Sequence, residues 1–191
     1  MRKTNFYNIK TIHNYTDNQL FKLIFTLKMW QKKRILKQHQ TLKIQMKLMI
    51  AGSRKLAVTT DNLELLKRAL DDAHCHYSNQ TGELEWPSEI LHGGAPGGDE
   101  LARRLADELN IPQQVIRPDF QRYNPKRAPL ERNTELVAAA DVVIAFYHPD
   151  NIRRGGTWDA ARKAVERGKL LIEVCPGKPN QATLPAPGLW P

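Results

Sequence analysis

The sequence predicts an α/β protein: a three-layer fold with a mostly parallel sheet of about five strands and helices on both faces. Three observations point there. From residue 46 onward, short apolar runs alternate with segments of helical periodicity, the pattern of strand–helix–strand units. Three of the junctions are glycine-rich: Ala51-Gly52-Ser53-Arg54, His92-Gly93-Gly94-Ala95-Pro96-Gly97-Gly98-Asp99 and Arg153-Arg154-Gly155-Gly156-Thr157. Finally, Val142–Tyr147 is an uninterrupted apolar run, as expected of a strand covered on both faces.

The elements follow in order. Lys47–Ala51 is a short apolar run closed by Gly52, the first strand. Leu63, Leu66, Ala69, Leu70 and Ala73 recur at helical spacing and predict a helix over 60–76, capped by Thr60 or Asp61. The polar stretch Ser78–Ser88, with Gly82 and Pro87, predicts a loop. Ile90–His92 is the second strand. Leu101, Leu105, Ala106 and Leu109 share one face of a helix over 98–110. Gln114–Arg117 is the third strand, and Pro118–Pro129 a long loop. Leu130–Ala140 is a helix with Pro129 at its first turn, and Val142–Tyr147 the fourth strand. Thr157–Gly168 is a helix closed by glycine, and Leu170–Val174 the last strand. Residues 176–191 carry five prolines in sixteen positions and predict an irregular tail.

Composition narrows the function. The chain has 191 residues, enough for one domain with a sizeable core. Its two cysteines, Cys75 and Cys175, form no CxxC pair, which argues against a disulfide framework or zinc site and for a reducing, cytoplasmic setting. No apolar run reaches the ~18–20 residues of a membrane span. The formal charge of +9 suggests nucleic acid, but its distribution removes that hint. Residues 1–45 hold ten Lys/Arg and one acid, whereas residues 46–191 hold nineteen of each sign. The core is neutral.

Residues 1–45 are a different text. They contain no Gly, Pro, Ala, Val or Glu, while residues 46–191 hold all eleven glycines, all twelve prolines and seventeen alanines. The shift from residues with A/T-rich codons to residues with G/C-rich ones is read as sequence upstream of a natural start at Met46. Two alternatives stay open: a basic amphipathic helix from Leu20 to Leu36 that touches a membrane surface or nucleic acid, and a tail without a role.

Ligands of parallel sheets bind at the carboxyl ends of the strands, where all three glycine turns fall. A strand ending in glycines and opening into a helix presents backbone N–H groups and a positive dipole end, which suits a phosphate. Three such turns point to a nucleotide-type ligand. GxGxxG is absent, so this is not a standard dinucleotide fingerprint.

The order of motifs is GSR after the first strand, HGGAPGGDELA, a Pro-Asp-aromatic loop, Arg132-Asn133 near a helix start, AADVVIAF, and Gly155-Gly156-Thr157 opening the last helix. Over residues 46–174 this resembles the YspA-type branch of the SLOG superfamily, the Rossmann-like group that includes the DprA/Smf and LOG proteins. The resemblance implies binding of nucleotides or nucleotide-derived ligands. Some relatives hydrolyse the N-glycosidic bond of nucleoside monophosphates, others bind single-stranded DNA, and others act as ligand sensors. LOG-type relatives pair through helices, which leaves a homodimer open. The LOG hydrolases carry PGGxGTxxE. Here Ala160 stands where their Glu stands, and Asp159 falls one residue early, rotated by about 100° on a helix. Arg132 carries over better than the acid does.

Each candidate residue has a plain structural alternative. Gly93, Gly94, Gly97 and Gly98 serve either tight turns or close approach of phosphate. Four glycines in six positions favour the ligand. Gly52, Ser53 and Arg54 form the first strand-end turn, with Ser53 as a hydroxyl donor and Arg54 as a phosphate or base contact. Asp99 is a helix cap or bonds a ribose hydroxyl. Arg132 sits where a cation opposes the helix dipole, which favours an anion contact, and Asn133 bonds the ligand or its own backbone. Thr157 caps the last helix and, with Gly155 and Gly156, makes an anion nest. Arg153 and Arg154 close over phosphates or are solvated. Phe120 and Tyr123 stack a base or pack the loop, packing being favoured for Phe120. His92 and His148 lack partners at metal spacing, so no metal is expected, and no cofactor either.

Two functions compete. The first is a binding or sensing module for a nucleotide-type small molecule. The second is a nucleotide N-glycosidase, which needs a carboxylate near the anomeric carbon. Asp99 and Asp159 are its catalytic candidates, with Asp119 behind them. The missing glutamate tips the reading towards binding. The neutral core weighs against DNA.

Overall fold

In a computed structural model, residues 46–81 and 86–184 are described. Residues 1–45, with the candidate helix at 20–36, lie outside them, as do 82–85 and the end of the tail, 185–191. Six strands form one sheet in the order β3-β2-β1-β4-β5-β6. They are β1 Lys47–Gly52, β2 Glu89–His92, β3 Gln113–Val115, β4 Val142–Phe146, β5 Leu170–Val174 and β6 Gln181–Thr183. The first five pair in parallel, and β6 runs antiparallel to β5.

Alternation along each strand splits the core in two. Leu48, Ile50, Ile90, Val142, Ile144, Phe146 and Ile172 face one side. There they meet Leu66, Leu70 and Tyr77 of α1 (Thr60–Thr81) and Leu101 and Leu105 of α2 (Gly98–Leu109). Met49, Leu91, Val143, Ala145 and Leu171 face the other. They pack on Leu136 and Val137 of α3 (Ala128–Ala139) and on Ala160, Ala161 and Ala164 of α4 (Gly155–Glu166). The alanines let α4 lie close to the sheet. All five residues of β4 are buried, so this strand has no polar face.

Four details differ from the sequence expectations. Helix α1 runs on through Ser78 to Thr81, because no glycine or proline interrupts it before Gly82, and Tyr77, 2% exposed, anchors the added turn in the core. Helix α3 begins at Ala128, two residues before the expected Leu130, with Pro129 in its first turn as expected. Helix α4 begins at Gly155, so Thr157 lies within its first turn and is not its cap. The capping position belongs to Arg154, which makes no side-chain cap bond. Gln181–Thr183, in the stretch read as irregular, adds the sixth strand at the sheet edge. Pro179 precedes the strand and does not interrupt its pairing.

No helix among the described residues is long and apolar enough to cross a membrane.

Candidate functional site

β1 and β4 lie side by side at the centre of the sheet. After β1 the chain crosses to β2 on one flank, and β4 continues to β5 on the other. The connections therefore leave in opposite directions and open a crevice at the carboxyl ends. A cleft of about 490 Å³ occupies it.

The first turn is fixed by its backbone. Ser53 N–H donates to the Phe146 carbonyl at 2.9 Å, and the Ser53 carbonyl accepts from Gly98 N–H at 3.0 Å. Lys55 N–H donates to Ser53 Oγ at 3.3 Å. The turn thus joins β4 to the start of α2. Gly52 and Gly98 touch through their main chains: a Cβ on Gly52 would lie 2.2 Å from the Gly98 Cα. Gly97, at φ +77°, would carry a Cβ 2.6 Å from the Ser53 carbonyl oxygen. Much of the glycine density read as room for a ligand is therefore spent on strand–helix contact. Gly94, Gly97 and Gly98 do not line the cleft, whereas Gly52, Gly93, Gly155 and Gly156 do. At Gly155 a Cβ would meet nothing within 4 Å, so that turn is open.

Arg132 and Asp99 come together from different helices. Arg132 Nη1 lies 3.7 Å from Asp99 Oδ2, with side chains only 10% and 6% exposed. Asp99 Oδ2 also accepts from Ala95 N–H at 3.0 Å. Asp99 is the second residue of α2, after the capping Gly97, so its carboxylate shapes the glycine turn and balances the arginine. Arg132 Nε and Nη1 are buried without hydrogen-bond partners among the described residues. Burial pushes the Arg132 pKa down, Asp99 holds it up, and neighbouring Arg54 pushes it down further. A buried cation short of partners is a costly arrangement.

Asn133, the next residue on α3, is 5% exposed. Its Nδ2 donates to the Gly156 carbonyl at 3.0 Å and to Asp159 Oδ2 at 3.1 Å. Asp159 also accepts from Lys163 Nζ at 2.7 Å and pairs with Arg162 at 3.7 Å. Asp159 does not line the cleft. It stands behind Asn133 and ties α3 to α4. Thr157 is buried and lines the cleft.

The charge of the lining is lopsided. Arg54, Lys55, Lys126, Arg132 and Arg154 contribute five cations, and Asp99 the single carboxylate. The uncapped N-terminus of α4 adds its positive dipole end. Two of these cations, Lys55 and Lys126, were missed by sequence reasoning. Lys55 is signalled only by its place beside Arg54. Lys126 has no local signal. It reaches the cleft because Asn124 Oδ1 accepts from Lys126 and Arg127 N–H at 3.2 and 2.9 Å, folding the loop onto α3. Arg153, at φ +54°, lies 5.7 Å from the Trp158 ring and outside the cleft.

Other candidates resolve simply. Phe120, expected to pack on the core, is 60% exposed. The Arg122 and Arg127 guanidiniums lie 5.3 and 5.4 Å from the ring centre of Tyr123. Asp119 closes a turn by accepting from Gln121 and Arg122 N–H. His92 is buried, its Nδ1 accepting from Gly94 N–H and its Nε2 bonded to Gln113 Oε1. His148 Nδ1 accepts from Asp150 N–H at 3.3 Å. Among the described residues no group of three His, Cys, Asp or Glu side chains could hold a metal ion.

A family model described as the YspA, cpYpsA-related SLOG family matches residues 46–123, which span β1 to β3 and carry the first two glycine turns. The chain is 34% identical over 89 residues to the gene 61 protein of Mycobacterium phage D29, an overlap covering 44% of this chain and 68% of that protein. Among solved structures, the X-ray structure of TM1055 resembles it at a TM-score of 0.42 and 21% identity, covering 66% of this chain and 72% of that one.

Proposed function

The chain belongs to the YspA, cpYpsA-related SLOG family, and from there we propose that it is a binding or sensing module for a nucleotide or nucleotide-derived ligand, anchored by phosphate in the cleft. One observation carries this reading: five cationic side chains and an uncapped helix N-terminus converge there against one carboxylate. That field favours an anion. Arg132 supplies the sharpest part of it, since its buried guanidinium lacks partners that phosphate oxygens would provide. The apolar part of the lining, which includes Leu130 and Leu136, gives a base or sugar something to lie against.

N-glycosidic hydrolysis is the weaker reading. Asp99 is the only carboxylate of the lining among the described residues, and it is already engaged by Arg132 and the Ala95 N–H. Asp159 is turned to Lys163 and Asn133. Among the described residues no second acid lines the cleft to protonate a leaving base.

The test is a pair of ligands. Arg132→Ala should weaken adenosine 5′-monophosphate by ~1.5–3 kcal/mol, the range of a charge-assisted bond, and barely change adenosine. Equal losses for both would remove phosphate from the argument. Release of free base by the wild-type protein would favour the hydrolase.

A further inference from the structure

We propose that Asn133 Oδ1 is a specificity-determining acceptor in the cleft, reading a hydroxyl or N–H donor of the phosphorylated ligand, and that Asp159 is the residue that sets its orientation. This rests on the nucleotide reading above and adds a requirement to it: the ligand must offer a hydrogen-bond donor as well as an anion.

A carboxamide has two N–H donors on one side and a carbonyl oxygen on the other. Behind Asn133 stand two groups that can only accept, the Gly156 carbonyl and the Asp159 carboxylate, at 3.0 and 3.1 Å from Nδ2. Turned the other way, the amide would set Oδ1 against two acceptors and lose both bonds. The surroundings thus decide the orientation. Asp159 is itself held by Lys163 Nζ at 2.7 Å, and it does not line the cleft.

Oδ1 is what remains. It accepts no hydrogen bond among the described residues, yet it is not among the buried unpartnered atoms. It is therefore not fully enclosed, and the side chain that carries it lines the cleft. A phosphate oxygen cannot satisfy it, because both are acceptors. The anion belongs to the cations, and Asn133 faces a different part of the ligand. A ribose hydroxyl and a base N–H share the required chemistry.

The experiment measures binding by calorimetry for inorganic phosphate, ribose 5-phosphate, adenosine 5′-monophosphate and its 2′- and 3′-deoxy analogues. In the wild-type protein, an analogue lacking the donor read by Asn133 should bind about 3- to 10-fold more weakly, as for one neutral hydrogen bond. Asn133→Ala should abolish that discrimination while leaving inorganic phosphate within about 2-fold. Asp159→Ala keeps Asn133 but loosens its amide, and should reduce the discrimination in part. A purely structural role would lower the melting temperature of both variants and leave the ratios unchanged, which overturns the proposal. If both deoxy analogues bind like the parent nucleotide, the donor is on the base, and purine riboside 5′-monophosphate, which lacks the amino group, should show the loss instead. Discrimination against none of these analogues overturns the inference while the nucleotide reading stands. No binding by any phosphate ligand overturns both.

Discussion

The guanidinium of Arg132 fills the space in which any side chain at position 93 would have to sit: a Cβ on Gly93 would lie 0.9 Å from Nη1. A residue after β2 and a residue inside α3, far apart in the chain, are thus one fitted unit. Gly93→Ala should push Arg132 away from Asp99 and into the cleft. Stability should fall by ~1–3 kcal/mol, as for overpacking, and nucleotide affinity should fall as it does in Arg132→Ala. Urea denaturation and calorimetry check the two halves. An alanine variant with unchanged affinity would mean that Arg132 has another place to go.

The buried pair makes Asp99 a structural residue first. Asp99→Asn keeps an oxygen that can accept from the Ala95 N–H but removes the charge facing Arg132. Breaking a buried pair from one side costs ~3–5 kcal/mol, and about 3 kcal/mol is expected here by urea denaturation. Inorganic phosphate should raise the melting temperature of this variant more than that of the wild type, since a bound anion replaces the missing counter-charge. A cost below about 1 kcal/mol would show that the pair contributes little.

Glycines of similar appearance should respond in opposite ways. Gly98→Ala places a Cβ 2.1 Å from the Gly52 Cα, main chain against main chain. It should cost more than ~3 kcal/mol, although Gly98 does not line the cleft. Gly156→Ala meets only Asn133 Nδ2 at 3.8 Å and lies in the first turn of α4. It should stay within ~1 kcal/mol of the wild type. Thermal melts of the two variants make the comparison.

Tyr147 carries a pH dependence away from the cleft. Burial, then the nearby Glu173 charge, then the 3.0 Å bond donated to Glu173 Oε1 push its phenol well above the usual range. In the unfolded chain the phenol ionises near 10, so above that pH the unfolded state holds fewer protons than the folded one. Its contribution to stability is complete below about pH 10 and declines as pH rises further. Tyr147→Phe should flatten that decline in denaturation curves between about pH 9 and 11. An unchanged slope would assign the decline to other groups.

What was legible in the sequence and what was not divide along physical lines. Periodicity is a local property, so the continuous apolar runs of β1 and β4 and the helical spacing of Leu101, Leu105 and Ala106 placed the parallel sheet and its helices. The glycine junctions located the cleft at the strand ends, because a chain leaving a buried strand for a helix must turn there. Local signals could not say what each glycine is for. Gly98 faces Gly52 and Gly93 faces Arg132, and both contacts exist only once β1, β2, α2 and α3 have packed. The same holds for charge. Arg132 conflicts with its helix dipole in the sequence itself, but its partner Asp99 lies thirty-three positions away. Lys126 joins the cleft only because its loop folds back on α3. Asp159 is a catalytic candidate in the sequence because it falls one residue before the place of the LOG glutamate; that its carboxylate contacts Asn133 and Lys163 appears only when α3 packs on α4. The sequence by itself determined the layers, the order of the elements from β1 to β5 and the sheet edge at which the cleft opens, through hydrophobic spacing and backbone freedom. Only the tertiary structure decided which polar groups are spent on one another and which remain open, because a hydrogen bond between distant residues leaves no periodic trace in the chain.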